Sequence, residues 1–172
     1  AIDPHRIIST TKRVMPMKKK HPEEPAQKML QTFFSIDVHT GQPIGFCIGS
    51  TGANTTKTTL GLLDMISTVG GRYSLVLADK EHFTQELVGT LSKSSQFELL
   101  VPAVVSQRIL KVIKELKYQS HWAGYSIAET VFNFDNIRNK YRLIVQREGE
   151  VEGEYKYMPF IALSDKPAVE LI

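Results

Sequence analysis

The stretch that most narrows the fold lies between residues 30 and 50, where two β-rich runs, LQTFFSIDV and PIGFCIGS, flank HTGQ. Two such runs around a Gly-containing turn predict a β-hairpin. Beyond the hairpin, helical and strand patterns alternate. TGANTTKTTLGLLDMISTV spaces Leu60, Leu63, Met65, Ile66 and Val69 as a helix would. Asn54 or a neighbouring threonine can cap it, and GGR stops it. YSLVLA is a strand whose apolar residues run together, the pattern of burial on both faces. EHFTQELVGTLSK sets Phe83, Leu87 and Leu91 four apart, an amphipathic helix despite Gly89. FELLVPA is a strand closed by Pro102, and SQRILKVIKELKYQ puts Ile109, Val112, Ile113 and Leu116 on one helical stripe. The remainder, through ETVFNF, YRLIVQREG and EYKYMPFIALS, is β-rich with Gly-Glu turns. Ahead of the hairpin, AIDPHRIIST is extended but interrupted by Pro4, and TKRVMPMKKKHPEEPAQK reads as a mobile or irregular loop. Strand, hairpin, then alternating helices and strands predict a mixed α/β sheet with helices packed on it.

A chain of 172 residues, 42% of them hydrophobic, can bury one domain core. The net charge of +3 is too mild to declare a nucleic-acid binder, so the distribution of charge must decide. Cys47 is the only cysteine, which rules out a disulfide within the chain and fits a reducing, intracellular setting. It reads as a small core residue on a strand. No apolar stretch approaches the ~20 residues of a membrane span, and no signal peptide is visible. The opening AID and the closing AVELI both read as cut points, which predicts a piece of a longer protein.

In sheets of this kind, polar residues at the carboxyl ends of buried strands face the functional crevice. Asp79 stands at such an end, followed by Lys80, Glu81 and His82, and Asp3 follows the short AI run. Two strand-end aspartates can hold one hard cation through oxygen, and a further carboxylate would complete a two-metal site. Asp79 can equally be a helix cap. His82 can reach a substrate phosphate or serve as a surface or capping residue. His5, His21, His39 and His121 show no metal-ligand spacing. GSTGANTTKTT has the flavour of a phosphate loop, but Thr56 stands before Lys57 where glycine is required. Lys12, Arg13, Lys18, Lys19 and Lys20 crowd the loop after Asp3 and can neutralise phosphates if Asp3 is in a site.

AIDPHRI, FFSIDVHTGQPIGF, LVLADKEHFTQEL, FELLVPA and RLIVQREGE with YKYMPFIALSD stand in that order along the chain. Together they resemble the catalytic domain of a bacterial insertion-sequence transposase of the DDE class, which has a ribonuclease H-like fold. The resemblance implies a catalytic core over 1–128, a β-rich insertion over 129–163 and a lead-in to the last catalytic helix over 164–172. It makes Asp3 and Asp79 the first two catalytic acids and metal ligands, for two Mg2+ (or Mn2+) ions in the complete enzyme. DNA is the implied partner, gripped through phosphates by Lys12, Arg13, Lys18, Lys19, Lys20, His82 and Arg147, in a homodimer and in the cytoplasm. The third acid of the class is a glutamate in a stretch of the type Tyr-x-x-Arg-Trp-x-Ile-Glu, which does not occur here. Glu148 and Glu150 fall in a hairpin and Glu170 lacks the surrounding motif, so that glutamate is expected beyond Ile172. The competing readings are an inactive nucleic-acid-binding or assembly domain of the same fold, and a nucleotide binder using Lys57.

Overall fold

The computed structural model describes residues 1–20, 23–70, 74–134 and 138–172. It divides into two compact units, Ala1–Arg72 and Tyr73–Ile172.

The first unit holds an antiparallel sheet in the order β1-β2-β3, formed by β1 (Ile2–Ile8), β2 (Met29–Ile36) and β3 (Pro43–Ser50). Its hairpin is where the sequence predicts it. Asp37 Oδ1 accepts from the backbone N–H groups of His39 and Thr40 at 2.8 and 2.9 Å, and Gly41 takes the left-handed φ of 69° that closes the turn. These backbone bonds, Thr40 first, hold the Asp37 carboxyl below its ordinary pKa. Pro4 does not break β1. The Ala1 carbonyl and the Ser9 N–H both bond toward β2, so the alternating backbone of residue 4 faces away from it, where a missing N–H costs nothing.

Helix α1 (Thr55–Thr68) packs against β2 and β3 and is capped by Asn54, whose side chain accepts from Lys57 N–H at 3.0 Å. Its buried stripe is Thr56, Thr59, Leu62, Leu63 and Ile66, whereas Met65 and Val69 are exposed. The stripe is therefore rotated from the expected one, because two threonines take core positions that hydropathy alone gives to Met65 and Val69. Gly45 and Gly49 let the helix and its lead-in approach β3. A Cβ on Gly45 would stand 2.7 Å from Met65 Cε, and one on Gly49 would stand 2.6 Å from Ala53 Cβ. Cys47 lies between them, half-buried, and burial raises its thiol pKa.

The second unit is a six-stranded mixed sheet in the order β4-β5-β9-β8-β7-β6. Its strands are β4 (Ser74–Leu77), β5 (Phe97–Pro102), β6 (Gln119–Trp122), β7 (Tyr125–Phe132), β8 (Tyr141–Glu148) and β9 (Lys156–Leu163). β4 and β5 run parallel and all other pairings are antiparallel. The helices are α2 (Gln85–Leu91), α3 (Gln107–Glu115) and a short α4 (Ala168–Leu171). Ile109 and Ile113 bury the face of α3, as its periodicity predicts, with Val112 and Leu116 half-buried beside them. Ala168 and Leu171 of α4 close a core cluster with Leu100, Ile127, Ile144 and Ala162.

Three expectations change here. The strands predicted to share one mixed sheet lie in two, one in each unit. β4 is not buried on both faces: it is the end strand of its sheet, with Val76 buried, Leu75 and Leu77 half-buried and Ser74 exposed. The β-rich region begins at Gln119, and β9 inserts antiparallel beside β5, so these strands continue the β4-β5 sheet.

Candidate functional site

Asp79 follows β4 after one residue, Ala78, at the carboxyl end of the parallel β4-β5 pair. Its backbone is extended, and its side chain caps a single 3-10 turn, Lys80–His82. Oδ1 accepts from the Glu81 N–H at 2.9 Å and pairs with His82 Nδ1 at 2.9 Å. No hydrogen bond reaches Oδ2 among the described residues, and the Asp79 side chain remains 41% exposed. One oxygen is committed to the fold and the other is open.

His82 itself is fully buried, with 0% of its side chain exposed. That corrects both sequence readings of this residue, the phosphate contact and the surface or capping histidine: a ring with no exposed area cannot touch DNA without leaving its pocket. Its Nε2 has no hydrogen-bond partner among the described residues. The predicted helix from Glu81 is also displaced. Thr84 caps a separate helix, α2, accepting from Leu87 N–H at 3.2 Å, and Phe83 sits in the joint between the two turns. There Phe83 packs near Phe134 and Phe132, with ring centroids 5.2 and 6.5 Å away.

Asp3 belongs to the first unit. It is exposed on β1 opposite Phe34, and its carboxylate has no hydrogen bond or ion pair among the described residues. Cross-strand partners share a face, so Asp3 stands on the same sheet face as Phe34, Phe46 and Ile48. All three are exposed, and the Phe34 and Phe46 rings stack at 5.8 Å.

Lys12, Arg13, Lys18, Lys19 and Lys20 are exposed on the loop between β1 and β2. That loop is irregular, as predicted, but anchored. Lys18 and Gln27 form an isolated backbone bridge, and Lys28 Nζ donates to the carbonyls of Arg13 at 2.8 Å and Thr11 at 3.3 Å. Lys28 was not anticipated, since nothing local marks a lysine that binds carbonyls fifteen and seventeen residues back in the chain. Arg147 is held in place on β8: its guanidinium lies 4.4 Å from the Tyr118 ring centre and 4.2 Å from that of Tyr155, and Nε donates to Ser126 Oγ at 2.9 Å. Burial first, and Tyr157 second, raise the Tyr118 pKa against the opposing effect of Arg147.

The other histidines assemble nothing with these groups: His5 and His39 are exposed, His121 lies against Trp122, and His21 falls outside the described residues. Glu148 ends β8 opposite Lys156, while Glu150 and Glu170 are exposed. Lys57 is exposed on the first turn of α1. The open carboxylate oxygens of Asp3 and Asp79 are hard donors of the kind magnesium takes, and that ion needs only one or two carboxylates because it keeps its waters. Among the described residues no three His, Cys, Asp or Glu side chains form a group able to hold a metal. Within its own unit, the Asp79 carboxylate thus suits a weakly held, water-rich cation and offers no closed cage. None of the described helices is long and apolar enough to cross a membrane.

No protein-family model matches the chain, and no curated protein does. Among solved structures it is similar to a piggyBac transposase in a synaptic complex with hairpin DNA, with a TM-score of 0.53 at 12% identity. The match covers 97% of this chain and 34% of the transposase, so the chain spans about a third of that protein's length. At this identity the likeness is one of fold: the chain has a transposase-like fold.

Proposed function

We propose that the chain is part of the catalytic region of a DNA transposase of the DDE class, with a ribonuclease H-like core, acting on DNA ends. The observation that carries this reading is Asp79: a carboxylate at the carboxyl end of a parallel strand pair, one oxygen fixed by Glu81 and His82 and the other open. The likeness of fold to a transposase solved with hairpin DNA supports it. The motifs that resemble insertion-sequence transposases support the same class. Asp3 and Asp79 would be the metal-binding acids, with a glutamate from elsewhere in the parent protein. The bound Mg2+ or Mn2+ pair would supply an activated water and stabilise the departing 3′ oxygen. The residues of this chain would hold the cation, and Lys12, Arg13, Lys18, Lys19 and Lys20 would neutralise DNA phosphates without reading sequence. A homodimer on paired ends, in the cytoplasm, is part of the proposal.

Mn2+ titration calorimetry on the chain, with Asp79→Asn and Asp3→Asn as controls, tests the site. Weak binding lost in both variants is expected, and binding indifferent to Asp79→Asn overturns the reading. Fluorescence anisotropy with duplex DNA tests the loop. Replacing Lys12, Arg13 and Lys18 by alanine should flatten the dependence of log K on log salt by roughly 3, at ~0.9 per phosphate contact. The absence of a three-donor group among the described residues favours a second reading, a DNA-binding domain without chemistry. It predicts the salt dependence without the Mn2+ binding.

A further inference from the structure

A fully buried histidine with one nitrogen on an acid and the other, among the described residues, without a partner is an expensive arrangement, because a buried polar atom without a partner keeps its desolvation cost. Its neighbour Phe83 joins an aromatic group with Phe132 and Phe134, and a phenyl ring at position 82 would carry no orphaned nitrogen. What a phenyl ring cannot do is donate to Asp79. A carboxylate only accepts, so the 2.9 Å contact requires Nδ1 to carry the hydrogen, and in the neutral ring Nε2 is then a bare lone pair. Two donors on Oδ1, from His82 and from Glu81 N–H, fix the rotation of the carboxylate. With Oδ1 saturated, Oδ2 is the oxygen left for a ligand. Imidazole and backbone donors of this kind orient ligating groups, and their loss costs ~10–100-fold in metal affinity.

We propose that His82 is a positioning residue for the Asp79 carboxylate: its Nδ1–H holds Oδ1 so that Oδ2 is presented to a divalent cation. This rests on the reading of Asp79 as a metal ligand given above. It assigns His82 a role through Asp79 and no contact with DNA.

The test separates hydrogen bonding from packing. His82→Phe keeps an aromatic ring and removes the donor, while adding one ring atom to a full pocket. His82→Asn places its side-chain N–H close to the position of Nδ1 but leaves a cavity where the rest of the ring was. Mn2+ affinity by calorimetry and thermal stability are measured on wild type, both variants and Asp79→Asn. The expected result is a split in affinity between two variants that both melt lower: His82→Phe loses ~10-fold or more in Mn2+ affinity. His82→Asn keeps the affinity within about 3-fold while melting lower. Affinity that simply tracks stability across the set overturns the proposal, as does wild-type affinity in His82→Phe when Asp79→Asn has none. If Asp79→Asn binds Mn2+ like wild type, the metal reading itself fails and takes this one with it. A measurement needing no variant stands beside these: in 15N NMR of the wild-type chain the His82 Nδ1 should be the protonated nitrogen and should shift on adding Mg2+. An Nε2-protonated ring, or no shift, overturns the proposal.

Discussion

Asp79 caps a turn, and in the proposed function it would also face a ligand; two substitutions isolate the capping contacts. Asp79→Ala removes the acceptor from the Glu81 N–H, a capping loss of about 1 kcal/mol. It also strands the His82 Nδ1 donor in a pocket without solvent, which costs about 1–3 kcal/mol. The sum, about 2–4 kcal/mol, corresponds to a melting temperature lower by roughly 10–20 °C for a unit of this size. Asp79→Asn keeps a carbonyl-type oxygen for both donors and loses only the charge assistance, so about 1 kcal/mol is expected. Trp122, the only tryptophan, lies in the same unit, and its fluorescence during thermal unfolding reports the right transition. If Asn destabilises as much as Ala, the Oδ1 contacts are not what holds this turn, and the division between a structural and an open oxygen is wrong.

Packing and one titration give two further expected outcomes. Gly49→Ala drives a Cβ to 2.6 Å from Ala53 Cβ, which moves only with its backbone, so about 1–3 kcal/mol should be lost. Gly45→Ala has its one short contact, 2.7 Å, with the mobile tip of Met65, the next being Leu62 Cδ1 at 3.4 Å, and should be near neutral. Urea unfolding monitored by far-ultraviolet circular dichroism checks both, since Trp122 lies in the other unit and would not report on α1 and β3. Tyr118, whose pKa is raised above its ordinary 10.0 mainly by burial, contributes stability that is complete below pH 10 and is lost as pH rises toward the folded value. Tyr118→Phe should remove that alkaline loss, and equal alkaline melting curves for the two proteins would contradict it.

The hairpin was legible because its signals are local: an acid that bonds the next turn's N–H groups and a glycine at positive φ. Helix α3 was legible because its apolar residues keep helical spacing, and in the structure Ser106 caps it, accepting from Ile109 N–H at 3.2 Å. β6 left no trace, since Gln119, Ser120, His121 and Trp122 are all exposed and carry no alternation. The α1 stripe was misjudged because Thr56 and Thr59 are buried, and a hydropathy pattern assigns threonine to neither face. Sheet order lay further out of reach. The placing of β9 beside β5 joins residues some sixty apart, and no periodicity within either strand specifies its neighbour.

The candidate site divides along the same line. Asp79 at the end of a strand was readable, and so was its ability to cap, but in the sequence these stand as alternatives. They are compatible because a carboxylate has two oxygens and the fold uses one. The residue that commits Oδ1 is His82, and its burial arises from the joint between two successive caps, Asp79 for the 3-10 turn and Thr84 for α2. A single continuous helix from Glu81 would carry residue 82 round with the first turn, toward solvent or DNA as the sequence reading had it. Breaking that helix at Phe83 turns His82 inward, under the carboxylate. The sequence DKEHFT contains both caps, and local pattern does not say which one starts the helix, on which the inward turn of His82 depends. The acid could thus be located from local sequence, but only the packing identified the residue that orients it.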